Sequence, residues 1–326
     1  MRVTAAGSLP GTDFRGALGA MTEALPEITP LPELPDRGVG SHMVGRALGL
    51  IRGLDFDLQP AGWRLTSGSG ADHRRATSQW SFDLDDVSEL LQDFRGVLKV
   101  AVAGPWTLAA SVERPTGDRL LADHGARREL AQALVDGVDI LLADLAARLP
   151  HATLRVQIDE PMVVDVAEGR VPTASGFSRH RRVHAPELTG SLAMFTALDA
   201  SAILHCCAAG EWMGLARSAD FNAVSLDLGQ FESGRSRDVV GQWLADGRSL
   251  VAGLVDSSRV QVQSADELVT RLLTFLRPMG LDPDVLRSNV VLGTSCGLAG
   301  WRQQDIMPQL EQLRHSGELV DEQLER

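Results

Sequence analysis

The sequence of 326 residues has no tyrosine, three cysteines and one lysine, Lys99, although it contains 31 basic residues. Three cysteines cannot form a framework of paired disulfides, so the chain must fold around a hydrophobic core, for which 44% hydrophobic residues are ordinary. The scarcity of cysteine, with an N-terminus that turns polar before any long apolar stretch, predicts a cytoplasmic protein. We interpret the scarcity of lysine as coding bias.

Long hydrophobic runs and excess positive charge are also missing. The longest apolar stretch, 131–149, is interrupted by three aspartates, so it is predicted to be an amphipathic helix and not a membrane span. The formal net charge of -12 disfavours nucleic acid and anionic membranes as partners, because both are bound through dense basic surfaces. We therefore expect neither a nucleic acid nor a membrane partner.

The three cysteines are the most informative residues of the chain. Cys206 and Cys207 follow His205, and Cys296 stands in the segment Gly-Thr-Ser-Cys-Gly-Leu. If 201–207 forms a buried strand, His205 and Cys207 point to one face and Cys206 to the other. One imidazole nitrogen and two thiolate sulfurs suit zinc better than calcium or magnesium. The alternative is that these cysteines are small core residues, since no CxxC pair is present.

Short apolar segments recur along the whole chain, separated by longer segments with helical periodicity. Eight strands are predicted, at 2–6, 62–65, 98–103, 153–158, 201–204, 223–226, 249–253 and 289–292. Helices are predicted at 87–94, 127–148, 189–198 and 265–276, and loops at 26–35 and 66–72. This alternation predicts an α/β fold, a (β/α)8 or TIM barrel, in a single domain over residues 1–326, with a doubly wound open sheet as the alternative.

Reactive side chains collect where the predicted strands end, and TIM barrels build their active sites at those ends. All strand ends of a barrel converge on one mouth, so distance along the sequence does not keep these side chains apart. This agreement strengthens the prediction of a metal site. The residues concerned are Ser8, Asp159, Glu160, His205, Cys207, Asp227, Asp256 and Cys296.

Several motifs, taken in order, resemble the C-terminal catalytic barrel of the cobalamin-independent methionine synthase family. They are Ala-Gly-Ser-Leu-Pro at 6–10, Gly-Pro-Trp-Thr at 104–107, Gln-Ile-Asp-Glu-Pro at 157–161, His-x-Cys at 205–207 and Cys-Gly-Leu at 296–298. The match covers nearly the whole chain. It implies a methyltransferase in which zinc activates the thiol of homocysteine, so that methionine is formed.

The resemblance also implies roles for individual residues. The family's zinc ligands correspond to His205, Cys207, Asp227 and Cys296. Asp227 stands where the family has a glutamate, and a helix cap or solvated loop acid is the alternative for it. Ser8 and Asp159 correspond to residues that hold homocysteine, Asp159 at the amino group, although an ion pair with an arginine would satisfy Asp159 equally well. The family's second amine-binding acid has no clear counterpart, since the matching stretch reads Pro-Asp-Arg-Gly at 35–38.

Departures from the family predict the methyl donor. Its folate-using members carry a second, N-terminal barrel, whereas this chain begins at the catalytic one. They also have a proton-donating histidine after the seventh strand, where this sequence reads Asp256, Ser257 and Ser258. Asp256 is the candidate that could replace this histidine as the catalytic acid. A donor whose leaving group needs no proton is expected, for example a methylcorrinoid protein.

Alternative functions share parts of this pattern. A zinc enzyme on the same barrel could alkylate another thiol, such as coenzyme M. A decarboxylase resembling uroporphyrinogen decarboxylase has the same fold, but it would leave the predicted zinc ligands without a purpose. A metal-dependent binding subunit without turnover is the alternative from outside enzymes.

Overall fold

The computed structural model of the chain describes residues 1–231 and 233–325. Its central element is a sheet of seven parallel strands. In spatial order these are β1 (Ile28–Pro30), β4 (Val97–Ala103), β5 (Thr153–Asp159), β6 (Ser201–Cys206), β7 (Ala223–Asp227), β8 (Ser249–Val255) and β9 (Val290–Thr294). Strands β2 (Asp55–Gln59) and β3 (Gly62–Thr66) form a separate antiparallel hairpin.

The sheet curls into a half-barrel and does not close as an eight-stranded barrel. Its strands follow one another in chain order with no reversal, whereas a doubly wound sheet reverses direction at a switch point. The predicted α/β fold with a parallel sheet is thus confirmed. The closed eight-stranded barrel is not what the described residues form.

Two of the eight predicted strands are not part of the main sheet. Residues 2–6 form no strand: Val3 makes an isolated bridge to Leu292, and the amide of Thr4 donates to the carbonyl of Leu292 at 2.9 Å. Residues 62–65 lie in the hairpin, outside the main sheet. The first strand of the main sheet is β1, which the sequence predicts as a loop, because three residues are too short to show alternation.

Helices connect the strands and cover the sheet. They are α1 (Phe14–Ala24), α2 (Met43–Leu48), α3 (Ala71–Leu90), α4 (Pro105–Ser111), α5 (His124–Arg148), α6 (Val163–Glu168), α7 (Ala185–Thr196), α8 (Met213–Ser218), α9 (Gly234–Ala245), α10 (Ala265–Leu276), α11 (Pro283–Asn289) and α12 (Gln303–Leu324). The helix predicted at 265–276 has the same bounds as α10, and the one predicted at 127–148 lies within α5. The prediction at 87–94 captured only the end of α3.

Helix α10 shows why the periodic segments were recognisable. Its N-cap, Ser264, accepts a hydrogen bond from the amide of Glu267, and two acidic residues in the first turn complement the helix dipole. Leucines at three- and four-residue spacing, such as Leu268 and Leu272, are buried on one face. The cap marks where this helix begins, and the apolar face marks how far it extends, so its bounds can be predicted from the sequence.

The main strands are buried almost along their whole length, as expected for a parallel sheet covered by helices. No helix among the described residues has the length and apolar character needed to cross a membrane. The carboxyl ends of the strands all point the same way, and the candidate functional residues lie there.

Candidate metal centre

The candidate metal centre lies where β6 and β9 end. His205 belongs to β6, Cys207 is the first residue after this strand, and Cys296 lies two residues beyond the end of β9. A ring nitrogen of His205 and the two sulfurs all lie within 4.8 Å of one another. In a flat sheet β6 and β9 would be three strand spacings, about 14 Å, apart. The curl of the sheet therefore creates the cluster.

The alternation predicted for this strand is present in the structure. Cys206 is 0% exposed and belongs to the hydrophobic core, and burial raises the pKa of its thiol to about 12. His205 and Cys207 face the other side, toward Cys296. Cys206 thus matches the alternative of a core residue, whereas Cys207 lies in the cluster, because adjacent side chains of a strand point to opposite faces.

The ring of His205 is held by the neighbouring strand. Its Nδ1 atom lies 3.0 Å from the hydroxyl oxygen of Ser225, the residue paired with it on β7. This contact leaves Nε2 as the ring nitrogen available to a metal. An imidazole ligand is commonly oriented in this way by a hydrogen bond to its other nitrogen.

The two sulfurs differ in their acidity. A hydrogen bond from the Cys207 thiol outweighs burial and lowers the pKa of Cys296 to about 4, and the same hydrogen bond raises the pKa of Cys207. Burial opposes charge on His205, but its contact with Cys296 and the nearby Asp159 raise the pKa of the imidazole overall. The cluster therefore favours a thiolate, which is the form of cysteine that binds metals.

The donor atoms fit zinc. Zinc–sulfur and zinc–nitrogen bonds of about 2.3 and 2.0 Å in a tetrahedral arrangement keep the ligand atoms roughly 3.5–4 Å apart. The three atoms of the cluster, which lie within 4.8 Å of one another, need at most a small contraction to meet this geometry. Three protein ligands also match the usual catalytic arrangement, in which a fourth position is left for substrate or water.

The structure does not bring Asp227 into this cluster. One carboxylate oxygen accepts a hydrogen bond from the amide of Gly229 at 2.9 Å, and the other accepts from the side chain of Gln230 at 3.3 Å. Arg271 lies 3.8 Å from the same carboxylate. Asp227 thus behaves as a loop acid that supports the turn following β7, because its short side chain reaches the nearest backbone amide.

Two buried carboxylates lie beside the cluster. Asp159 ends β5 and pairs in register with His205, and its carboxylate accepts a hydrogen bond from the side-chain Nε2 of Gln157 at 2.8 Å. Glu33 is buried in the segment after β1, where Arg46 lies 3.8 Å from its carboxylate, and its charge also interacts with those of Asp159 and Cys296. Burial raises the pKa of Asp159 and that of Glu33, the latter to about 7. We call Asp159 and Glu33 the acid pair.

Glu33 was missed by the sequence analysis. Its signal is a single acid within the otherwise apolar, proline-rich run Ile-Thr-Pro-Leu-Pro-Glu-Leu-Pro. An acid in such a run is rarely buried without a partner or a function. The sequence predicts a loop at 26–35, whereas this stretch contains β1, and the segment that follows β1 places Glu33 in the interior.

Ser8 is fixed between the acid pair and the cysteine segment. Its backbone pairs with that of Glu33 in an isolated β-bridge, and its carbonyl accepts a hydrogen bond from the amide of Leu298 at 2.8 Å. A Cβ atom added to Gly297 would lie 1.7 Å from the hydroxyl oxygen of Ser8. The glycine after Cys296 is therefore required for the close approach of Ser8.

Glu160 has a structural role. Its carboxylate accepts hydrogen bonds from the amides of Trp106 and Thr107 and from the Thr107 hydroxyl, at 2.9, 2.8 and 2.7 Å. A Cβ atom added to Gly104 would lie 2.3 Å from this carboxylate. The segments Gly-Pro-Trp-Thr and Asp-Glu-Pro are thus two halves of one contact, which ties α4 to the end of β5.

Asp256 follows β8 and lies on the same rim. One of its carboxylate oxygens accepts from the amide and the hydroxyl of Ser258, at 3.0 and 2.6 Å. The amide of Ser257 donates to the hydroxyl of Ser295 at 3.0 Å, which connects this loop to the residue before Cys296. The structure therefore holds the Asp256 loop against the cysteine segment, but Asp256 is not part of the cluster.

No protein-family model matches the chain, and no curated protein matches it in sequence. Among solved structures it is similar to a B12-independent methionine synthase from Shewanella sp. W3-18-1, in complex with selenomethionine, with a TM-score of 0.65. The similarity covers 99% of this chain and 98% of that one, at 14% sequence identity. At this identity the comparison shows a shared fold over the whole chain.

Proposed function

We propose that this chain is a zinc-dependent thiol S-methyltransferase that methylates homocysteine to form methionine. The observation that carries the proposal is the cluster of His205, Cys207 and Cys296 at the carboxyl ends of the curled parallel sheet. The fold shared with a methionine synthase, whose structure holds the selenium analogue of methionine, supports it.

The protein side chains supply the metal site and its orientation. His205, Cys207 and Cys296 would hold the zinc, and the contact of Nδ1 with the hydroxyl of Ser225 leaves Nε2 of the imidazole for the metal. When bound there, zinc keeps an entering thiol deprotonated at neutral pH and so supplies the nucleophile. Asp227 is left out of the proposed ligand set, because its carboxylate is engaged by its own turn.

The acid pair explains the choice of an amino acid thiol. Glu33 already faces Arg46 at 3.8 Å, so Asp159 is the buried carboxylate that needs a further cationic partner, and the α-ammonium of homocysteine is one. Asp159 and Glu33 lie beside the cluster, and Ser8 lies beside Glu33 and next to the cysteine segment. We propose that the acid pair binds the ammonium group and that Ser8 orients the amino acid end of the substrate.

The methyl donor is proposed from the loop after β8. The hydroxyl of Ser258 donates to the Asp256 carboxylate, which also accepts from the Ser258 amide, and a serine hydroxyl does not replace the proton-donating histidine at neutral pH. Transfer from methyltetrahydrofolate leaves a nitrogen that must be protonated, whereas a methylcorrinoid leaves as reduced cobalt and needs no proton. We therefore propose a non-folate donor such as a methylcorrinoid protein. Efficient methionine formation from methyltetrahydrofolate by the purified chain alone would refute this choice.

Metal analysis combined with a methyl-transfer assay tests the main proposal. The purified protein should contain one zinc per chain, and C207S and C296S should lose both the zinc and the transfer of methyl groups to homocysteine. C206S is the matched control, since its sulfur lies in the core, and it should retain the metal.

Two outcomes would redirect the proposal. Methylation of coenzyme M in place of homocysteine would assign another thiol to the same site. Zinc that is bound but never contacted by a thiol, measured by X-ray absorption with and without homocysteine, would indicate a binding protein without turnover.

A further inference from the structure

The only lysine of the chain lies inside the sheet and not on the surface. Lys99 belongs to β4 and is 1% exposed. Its ammonium donates hydrogen bonds to the carbonyl of Ala6, at 2.9 Å, and to the side-chain oxygen of Gln157. A buried lysine in a chain whose other basic residues are arginines calls for an explanation from its surroundings.

Gln157 connects this lysine to the acid pair. It lies on β5 two residues before Asp159, so both side chains project on the same face. The Nε2 group of Gln157 donates to the Oδ1 atom of Asp159 at 2.8 Å. A continuous path of hydrogen bonds therefore runs from Lys99 through the amide of Gln157 to the carboxylate of Asp159.

The ammonium fixes which way the amide faces. A lysine ammonium can only donate, so the oxygen end of Gln157 must face it and the NH₂ end must face Asp159. The reversed amide would place two donors against each other at Lys99 and two acceptors against each other at Asp159. Without the lysine, the oxygen end of Gln157 loses its donor, and the amide is held only at its NH₂ end, by Asp159 and the carbonyl of Ala6.

The site also explains why a lysine and not an arginine stands here. The ammonium has two acceptors within reach, the carbonyl of Ala6 and the oxygen of Gln157. A guanidinium carries five N–H donors in a rigid plane and would leave several of them buried without a partner. Burial lowers the pKa of Lys99 to about 8, while Asp159 and Glu33 raise it, so the ammonium remains charged at neutral pH.

We propose that Lys99 is a positioning residue for substrate recognition: through Gln157 it orients Asp159 toward the α-ammonium of the thiol substrate. This inference rests on the proposed function for the identity of the ligand. It assigns to Lys99 no contact with the substrate.

Binding measurements on the zinc-loaded protein test the proposal. Homocysteine is compared with 4-mercaptobutyrate, which has the same thiol and carboxylate but no amine. K99M and Q157M should each weaken homocysteine binding about tenfold or more and change 4-mercaptobutyrate binding less than twofold. Because both act through one path, the K99M/Q157M double variant should bind homocysteine no more weakly than the worse single variant.

A matched control separates this role from a general loss of buried polarity. Gln309 is also fully buried, and its side-chain amide exchanges hydrogen bonds with the backbone of Gln263, a residue whose side chain supports the backbone of Asp256 and not the acid pair. Q309M should leave the ratio of the two thiol affinities unchanged. Equal weakening of both thiols by K99M, or additive losses in the double variant, would overturn the proposal.

A second measurement needs no substrate. The side-chain NH₂ signals of Gln157, assigned by their absence in Q157M, should be protected from exchange in the wild type and exchange faster in K99M, where the oxygen end of the amide is no longer held. Unchanged protection would overturn the proposal. If the wild type bound neither thiol, the proposed function would fail, and these signals would still decide whether Lys99 orients the amide. Should K99M fail to fold, Q157M alone must still show the selective loss of homocysteine binding.

Discussion

Replacing Gly104 by alanine should destabilise this protein markedly. The backbone at Gly104 has φ -77° and ψ 169°, which alanine adopts without strain. The obstacle is the carboxylate of Glu160, which would lie 2.3 Å from the new Cβ atom, whereas real Cβ atoms essentially never approach closer than 3.0 Å. The carboxylate must therefore move by roughly 0.7 Å or more.

The cost of that movement follows from the contacts of Glu160. It is fully buried, and its three hydrogen bonds of 2.7–2.9 Å would stretch beyond normal hydrogen-bond length. Losing one or two bonds to a buried charged acceptor costs about 2–5 kcal/mol. Alanine also lowers the conformational entropy of the unfolded chain, which stabilises the folded state by about 0.4–1 kcal/mol. We expect a net loss of roughly 2–4 kcal/mol in the free energy of unfolding.

A double-mutant cycle measured by urea unfolding checks the reasoning. E160A removes the obstructing carboxylate, so G104A should cost less than about 1 kcal/mol in the E160A background. Gly190 is the control position, because no heavy atom lies within 4 Å of a Cβ added there. G190A should be neutral or slightly stabilising, since Gly190 lies within α7. An equal loss from G104A in both backgrounds would refute the steric explanation.

Three further predictions concern the site. S225A should lower zinc affinity about 10- to 100-fold in a chelator competition, because it removes the hydrogen bond that orients His205; unchanged affinity would contradict this role. D227N should keep full zinc content by metal analysis, since Asp227 is engaged by its own turn; loss of zinc would return Asp227 to the ligand set. In the native protein iodoacetamide should leave Cys206 unmodified and reach it only after unfolding, which mass spectrometry of the peptide would show; rapid native labelling would contradict its burial.

The local pattern of the sequence was sufficient where side chains depend on their neighbours in the chain. The opposite orientation of Cys206 and Cys207 follows from strand alternation, and the bounds of α10 follow from a cap and an apolar face. The strand ends also predicted that these side chains lie along one edge of the sheet, because parallel strands place their carboxyl ends together.

Positions without a local signal were not predictable. β1 has only three residues, so neither its strand nor the burial of Glu33 could be recognised. Asp227 stands at a strand end like the other candidates, but only the conformation of the following turn shows that its carboxylate bonds to Gly229. The scarcity of lysine suggests coding bias, and only the contacts of Lys99 with Ala6 and Gln157 indicate a structural reason for this residue.

By itself the sequence determined the alternation of strands and helices, the parallel sheet and the edge at which the reactive side chains gather, since these depend on periodicities of two and 3.6 residues. Only the tertiary structure decided which of those side chains meet. The curl of the sheet sets the distance between His205 and Cys296, and packing in the interior pairs Lys99 with Gln157 and Glu160 with Gly104. Such long-range contacts depend on how strands and loops approach one another in space, which no short stretch of residues encodes.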